Sequence, residues 1–174
     1  MDPSPTTFPV TPGNAPLDSA IASICKRVEA LVPGCRTGVC IASPDRSKLE
    51  RSIFPNLPRT FQATINDLPM GSPYIGCCTA AMDGDTVITV HDLALESRFS
   101  QLFVLTCLDH GIKSLRSRPV YGHERKPIGT FVMGYGEPSE SQRFDAPFLV
   151  FAADAVGALL QRELDARAPQ SKPS

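Results

Sequence analysis

The chain has 174 residues, 17 Lys and Arg against 18 Asp and Glu, and a formal net charge of −1. That length fits one domain, which buries roughly 70% of the surface its unfolded chain exposes and can fold on a core without staples. The near-zero charge speaks against a nucleic-acid or membrane surface that works by bulk electrostatics, and no apolar run approaches the ~20 residues that span a bilayer. No basic stretch leads into an apolar one at the N-terminus, so the cytoplasm is the expected compartment. The six cysteines, at 25, 35, 40, 77, 78 and 107, are scattered and form no CxxC pair. They predict neither a disulfide framework nor a zinc site, and most read as buried core thiols.

Residues 1–16 carry five prolines among Ser, Thr, Gly and Asn and read as a flexible arm. Leu17, Ile21, Ile24, Val28 and Leu31 then step by four and three, one helical face that ends before Pro33-Gly34. Residues 37–42 and 48–54 predict a hairpin around the Ser43-Pro44-Asp45-Arg46 turn. A short helix follows over 58–67, with Phe61 and Ile65 on one side, and then a loop with two Pro and two Gly over 68–76. Residues 77–82 are small and helix-compatible, 86–90 read as a strand ending at His91-Asp92, and 100–110 as a helix stopped by Gly111. Ser114 to Tyr135 is the most strand-like stretch, two strands joined by a polar turn over 122–126. In its second strand Ile128, Thr130 and Val132 should point one way, and Phe131, Met133 and Tyr135 the other. Both faces are apolar, so this hairpin belongs mid-sheet with cover above and below. A long helix is expected over 144–164, with an apolar face wider than one sheet requires, and a frayed polar tail after Ala166.

This order predicts an α+β domain. Its sheet has five or six mainly antiparallel strands, the first and last helices on one face, and short helices and loops over a small-molecule pocket on the other.

Four segments carry a resemblance: LPMGSPYIGCCTAA (68–81), VITVHDLALESRF (87–99), HGIKSLRSRPV (110–120) and KPIGTFVMGYGEPSES (126–141). In that order and spacing they resemble the GAF domain, the small sensory module of bacterial signalling proteins, and with the flanking helices the resemblance covers about 17–165. Cys77 matches the Cys of the common Gly-Ser-Cys-Gly-Thr run, Cys78 stands where that run has Gly, and Arg116 stands where an aromatic is common. The resemblance implies a ligand-binding domain that regulates an output domain C-terminal to it, cyclic-di-GMP turnover being one such output. It also implies a homodimer through the terminal helices. Two alternatives stay open: an enzyme resembling the free methionine-R-sulfoxide reductases, which use cysteine thiols, and a dimerisation scaffold without a ligand.

The candidate ligand-binding residues are Tyr74, Cys77, Thr79, Asp92, His110, Arg116 and Arg118. Cys77 and Cys78 follow a glycine-rich loop at a helix start, where a thiol's pKa falls and anions are favoured, so one of them reads as a redox sensor or the loop amides as a holder for an anionic ligand group; the plainer reading is a pair of packing residues. Arg116 and Arg118 alternate with Leu115, Ser117 and Pro119, so they share one strand face. Such a pair suits a carboxylate or phosphate if that face looks into the pocket, and otherwise pairs with surface acids. His110 and Asp92 each read as a helix cap or as a ligand contact. No nucleophile elbow, HExxH, phosphate loop or dinucleotide fingerprint occurs, which points away from catalysis and leaves the cofactor unnamed.

Overall fold

The computed structural model describes residues 15–138 and 147–169. Five helices and five strands follow in the order α1 (Ala15–Leu31), β1 (Cys35–Ala42), β2 (Leu49–Ile53), α2 (Arg59–Ile65), α3 (Cys77–Asp83), β3 (Ile88–Val90), α4 (Gln101–Asp109), β4 (Ser114–Tyr121), β5 (Pro127–Tyr135) and α5 (Pro147–Arg167). A 3-10 turn, Leu93–Leu95, sits between β3 and α4. The strands form one open sheet in the order β2-β1-β5-β4-β3, with every neighbouring pair antiparallel. β5 is therefore the central strand, as its two apolar faces require.

Each sheet face has its own core. Leu17, Ile21, Cys25 and Val28 of α1 and Leu149, Val156 and Leu160 of α5 pack on Val39, Ile41, Phe131 and Met133. Phe61 of α2, Cys77, Cys78 and Met82 of α3, and Phe103 and Cys107 of α4 pack on Cys40, Leu115 and Val132. Each fully buried Val, Leu, Ile or Phe contributes about 1.5–3 kcal/mol of transfer free energy, so the two faces together fix the layering. A charged clasp closes the first face. Arg51 of β2 donates to Asp18 of α1 at 3.0 Å and to Glu163 of α5 at 3.2 Å, and Arg167 donates to Glu163 at 3.2 Å.

Three boundaries and one side-chain direction differ from the expectations, each for a local reason. The first helix begins at Ala15 because Pro16 lies in its first turn, where the missing N–H would have no partner in any case. The third strand is only Ile88–Val90, since the Thr86 amide donates to the Ala81 carbonyl at 3.1 Å and closes the end of α3 instead. The last helix runs on to Arg167, where Glu50 and Glu163 hold the arginine. Ile128 packs on the α1/α5 core rather than beside Val132. The register steps from Val120–Gly129 to Tyr121–Pro127, so Ile128 is the extra residue of a β-bulge, which reverses its side. The arm over 1–14, the start of the expected last helix at 144–146 and the end of the tail at 170–174 lie outside the described residues.

Candidate functional site

The α2/α3/α4 face holds a small apolar cavity of about 20 Å3, bordered by Phe54, Phe61, Phe103, Cys77, Cys78 and Cys107. A second space of about 50 Å3 lies between α2 and α4, and Phe61, Phe103 and Cys107 line both. The only charged group among the described lining residues of the first cavity is Arg36 at its outer end, whose Nη1 donates to the Asn56 carbonyl at 2.8 Å. Gly38 of β1 has no Cβ because the Phe54 ring lies directly on its Cα; that close approach seats Phe54 edge-on to Phe61, with centroids 5.2 Å apart.

Beside the cavity, sulfurs cluster. All six cysteines are free and buried. The Cys40 thiol of β1 donates to the Cys78 sulfur of α3 at 3.3 Å, and Cys77 and Cys78 are 3.9 Å apart. The Ser117 hydroxyl of β4 donates to the Cys77 sulfur at 3.0 Å and lies 3.8 Å from that of Cys78. Thr130 is the direct cross-strand partner of Cys40 and is fully buried. Burial holds the Cys77 thiol well above its ordinary pKa, and donation to Cys78 does the same for Cys40. Cys78 moves the opposite way, because the Cys40 and Cys77 thiols donate to it and stabilise its thiolate against desolvation. Burial pushes Cys107 up to about 12. Among the described residues no group of three His, Cys, Asp or Glu is arranged to hold a metal ion.

The seven sequence candidates do not converge. Cys77 alone lines the cavity. Tyr74 donates its hydroxyl to Asp83 at 2.7 Å, tying the preceding loop to α3. The Thr79 hydroxyl is spent on the Gly76 carbonyl at 2.9 Å. Asp92 caps the 3-10 turn by accepting from the Ala94 amide at 3.0 Å. His110 is the residue that ends α4; its ring meets Phe61 edge-on at 5.2 Å, and its Nδ1 lies 2.8 Å from the Thr106 carbonyl. Arg116 and Arg118 stand directly opposite Met133 and Phe131, which belong to the α1/α5 core. Directly opposed residues share a sheet face, so both arginines lie on the side away from the cavity. Ser117, between them, is the β4 residue that reaches the sulfurs. Cys40, Ser117 and Thr130 were absent from the candidate set. Their shared signal is a small polar side chain at alternate strand positions otherwise filled by apolar residues.

No protein-family model matches the sequence, and a search of curated proteins returns no match. Solved structures do match. A domain of a two-component sensor histidine kinase protein from Sinorhizobium meliloti superposes with a TM-score of 0.65 at 16% identity, over 91% of this chain and 100% of that one. The GAF domain region of a membrane protein from Geobacter sulfurreducens gives 0.60 at 15% identity, over 87% and 95%. Free methionine-R-sulfoxide reductase from Neisseria meningitidis gives 0.63 at 14% identity, over 86% and 81%. The antiparallel five-strand sheet with its terminal helices on one face and short helices on the other thus has the GAF-like fold, shared by sensory domains and free methionine-R-sulfoxide reductases.

Proposed function

We propose that this domain is a cytoplasmic sensory module of bacterial signal transduction. It takes a small, largely apolar molecule between the sheet and α2, α3 and α4. It passes occupancy through α1 and α5 to an output domain joined beyond α5, of which cyclic-di-GMP turnover is one candidate. The observation that carries this is the paired space bordered by Phe61, Phe103 and Cys107 and roofed by short helices, on the face the terminal helices leave free. The spaces total far less than the ~300 Å3 of an ordinary ligand pocket, so binding requires the Phe rings to turn outward. An anionic head group finds no help from Arg116 and Arg118, which lie across the sheet. Arg36 is the cation within reach of the cavity's outer end.

Native mass spectrometry of freshly purified protein tests this. A co-purified small molecule is expected, retained by Arg116→Ala and Arg118→Ala and lost from Val132→Trp, which fills the cavity. No bound mass, and no thermal stabilisation by benzene or indole, would leave the scaffold reading in its place. The enzyme reading draws on the three thiols that line one cavity. Cys77 and Cys107 are held protonated, which makes them poor nucleophiles at neutral pH. Turnover of free methionine sulfoxide with NADPH and a thiol-reducing system decides it. A homodimer belongs to the same proposal. Phe151 on α5 is 73% exposed, beside half-buried Phe148, Ala152 and Leu159, which suits a second copy of this chain. Phe151→Glu should shift sedimentation to the monomer.

A further inference from the structure

We propose that Cys40 and Cys78 form a reversible disulfide on exposure to a water-sized peroxide, so that α3 becomes covalently tied to β1. This signal is oxidation rather than occupancy, and it stands whether or not the cavity takes an organic ligand. Three observations meet here. The two sulfurs are already in contact at 3.3 Å, although the residues lie 38 apart in the chain. Cys78 lines a cavity of about 20 Å3. A space of that size holds roughly one water, which needs ~10–15 Å3, so the oxidant that suits it is a small one, hydrogen peroxide rather than an organic peroxide. Finally, two strand hydroxyls flank the sulfurs: Ser117 donates to Cys77 at 3.0 Å and stands 3.8 Å from the Cys78 sulfur, and Thr130 is the direct cross-strand partner of Cys40.

The steps balance. The Cys78 thiolate attacks one oxygen of hydrogen peroxide, the O–O bond breaks, and the departing hydroxide takes up the proton that Cys78 lost and leaves as water. The Cys78 sulfenic acid is then attacked by the Cys40 sulfur; the S–O bond breaks, and the hydroxyl leaves with the Cys40 proton as a second water. Two thiols give up two electrons and two protons, and peroxide takes both. The donors around Cys78 lower its thiol pKa and favour it as the attacking sulfur. Closing the bond shortens the separation from 3.3 Å to about 2.05 Å, which draws α3 toward β1 and moves one wall of the cavity. Cys77 is a poorer partner. It neighbours Cys78 on the same helix at 3.9 Å, and a bond between adjacent residues would break the helical backbone of α3.

The test is peroxide treatment of the full chain, an alkylating quench in denaturant, and mass spectrometry of intact protein and peptides. The expected product is about 2 Da lighter before alkylation, keeps four of its six cysteines reactive, and yields one linked peptide holding Cys40 and Cys78. Dithiothreitol should reverse it. The oxidised form should melt roughly 10 °C higher, as expected for a closed 38-residue span. Cys40→Ser should lose both the link and the shift, with Cys40→Ala as the second variant if the first does not fold, while Cys107→Ser should keep them. Six reactive cysteines after treatment, a Cys77–Cys78 link, or accumulation of sulfinic acid at Cys77 or Cys78 would each overturn the proposal. Loss of a bound small molecule in the retention experiment would leave it intact.

Discussion

Phe103→Ala is the sharpest probe of the pocket face. The ring is 8% exposed, covers Gly76, meets Phe99 at 6.1 Å and lines both the 20 Å3 and 50 Å3 spaces. Removing it joins them into one apolar cavity bordered by Phe61, Ile65 and Cys107. A buried Phe→Ala change costs about 3–5 kcal/mol, and the slight exposure of this ring places the cost near 3. With a urea slope of about 2 kcal/mol per molar, the unfolding midpoint should fall by about 1.5 M. The new cavity is apolar and should stay dry, so benzene or indole should enter it. At ten times its dissociation constant such a probe restores about 1.4 kcal/mol. Urea denaturation followed by circular dichroism, with and without benzene, measures both quantities. A midpoint drop below about 0.5 M, or no recovery with benzene, would show that these helices do not enclose a usable pocket.

Breaking the charged clasp should loosen the terminal helices. Arg51→Met leaves the largely buried Glu163 carboxylate with Arg167 as its only ion-pair partner among the described residues and should cost about 2–3 kcal/mol. In a double-mutant cycle with Glu163→Gln, a coupling below about 0.5 kcal/mol would mean that the pair contributes little. Stability should fall in alkali. Burial raises Cys25, Cys35 and Cys107 from 9.0 to about 12, so the folded state holds these protons more tightly; the stability is full below pH 9 and is lost as pH rises through 12. Each thiol adds a slope of up to about 1.4 kcal/mol per pH unit in that window, so Cys25→Ala should flatten the decline and an unchanged slope would refute the assignment. Gly38→Val should destabilise by about 2–3 kcal/mol by driving its side chain into Phe54; an unchanged urea midpoint would mean that the ring moves freely.

Most of the fold can be read along the chain. The 4-3-4 spacing of Leu17 to Val28 and the two apolar faces of Ile128 to Tyr135 each report a local environment, and local environments repeat with the period of the backbone, whereas Leu31, next in the same spacing, is exposed at the helix end. That is why the helices, the central hairpin and the two-sided cover all stand where periodicity places them. The site is a different matter. Alternation in Ser114 to Tyr121 shows that Arg116 and Arg118 share one face and Ser117 takes the other, yet a period of two carries no sign. Only the register against β5 and the packing of α1 and α5 on Phe131 and Met133 assign the arginines to one side and Ser117 to the sulfurs. The Cys40–Cys78 contact is beyond any local pattern. It exists because β1 lies beside β5 and α3 packs over β5 and β4, bringing together two thiols 38 residues apart.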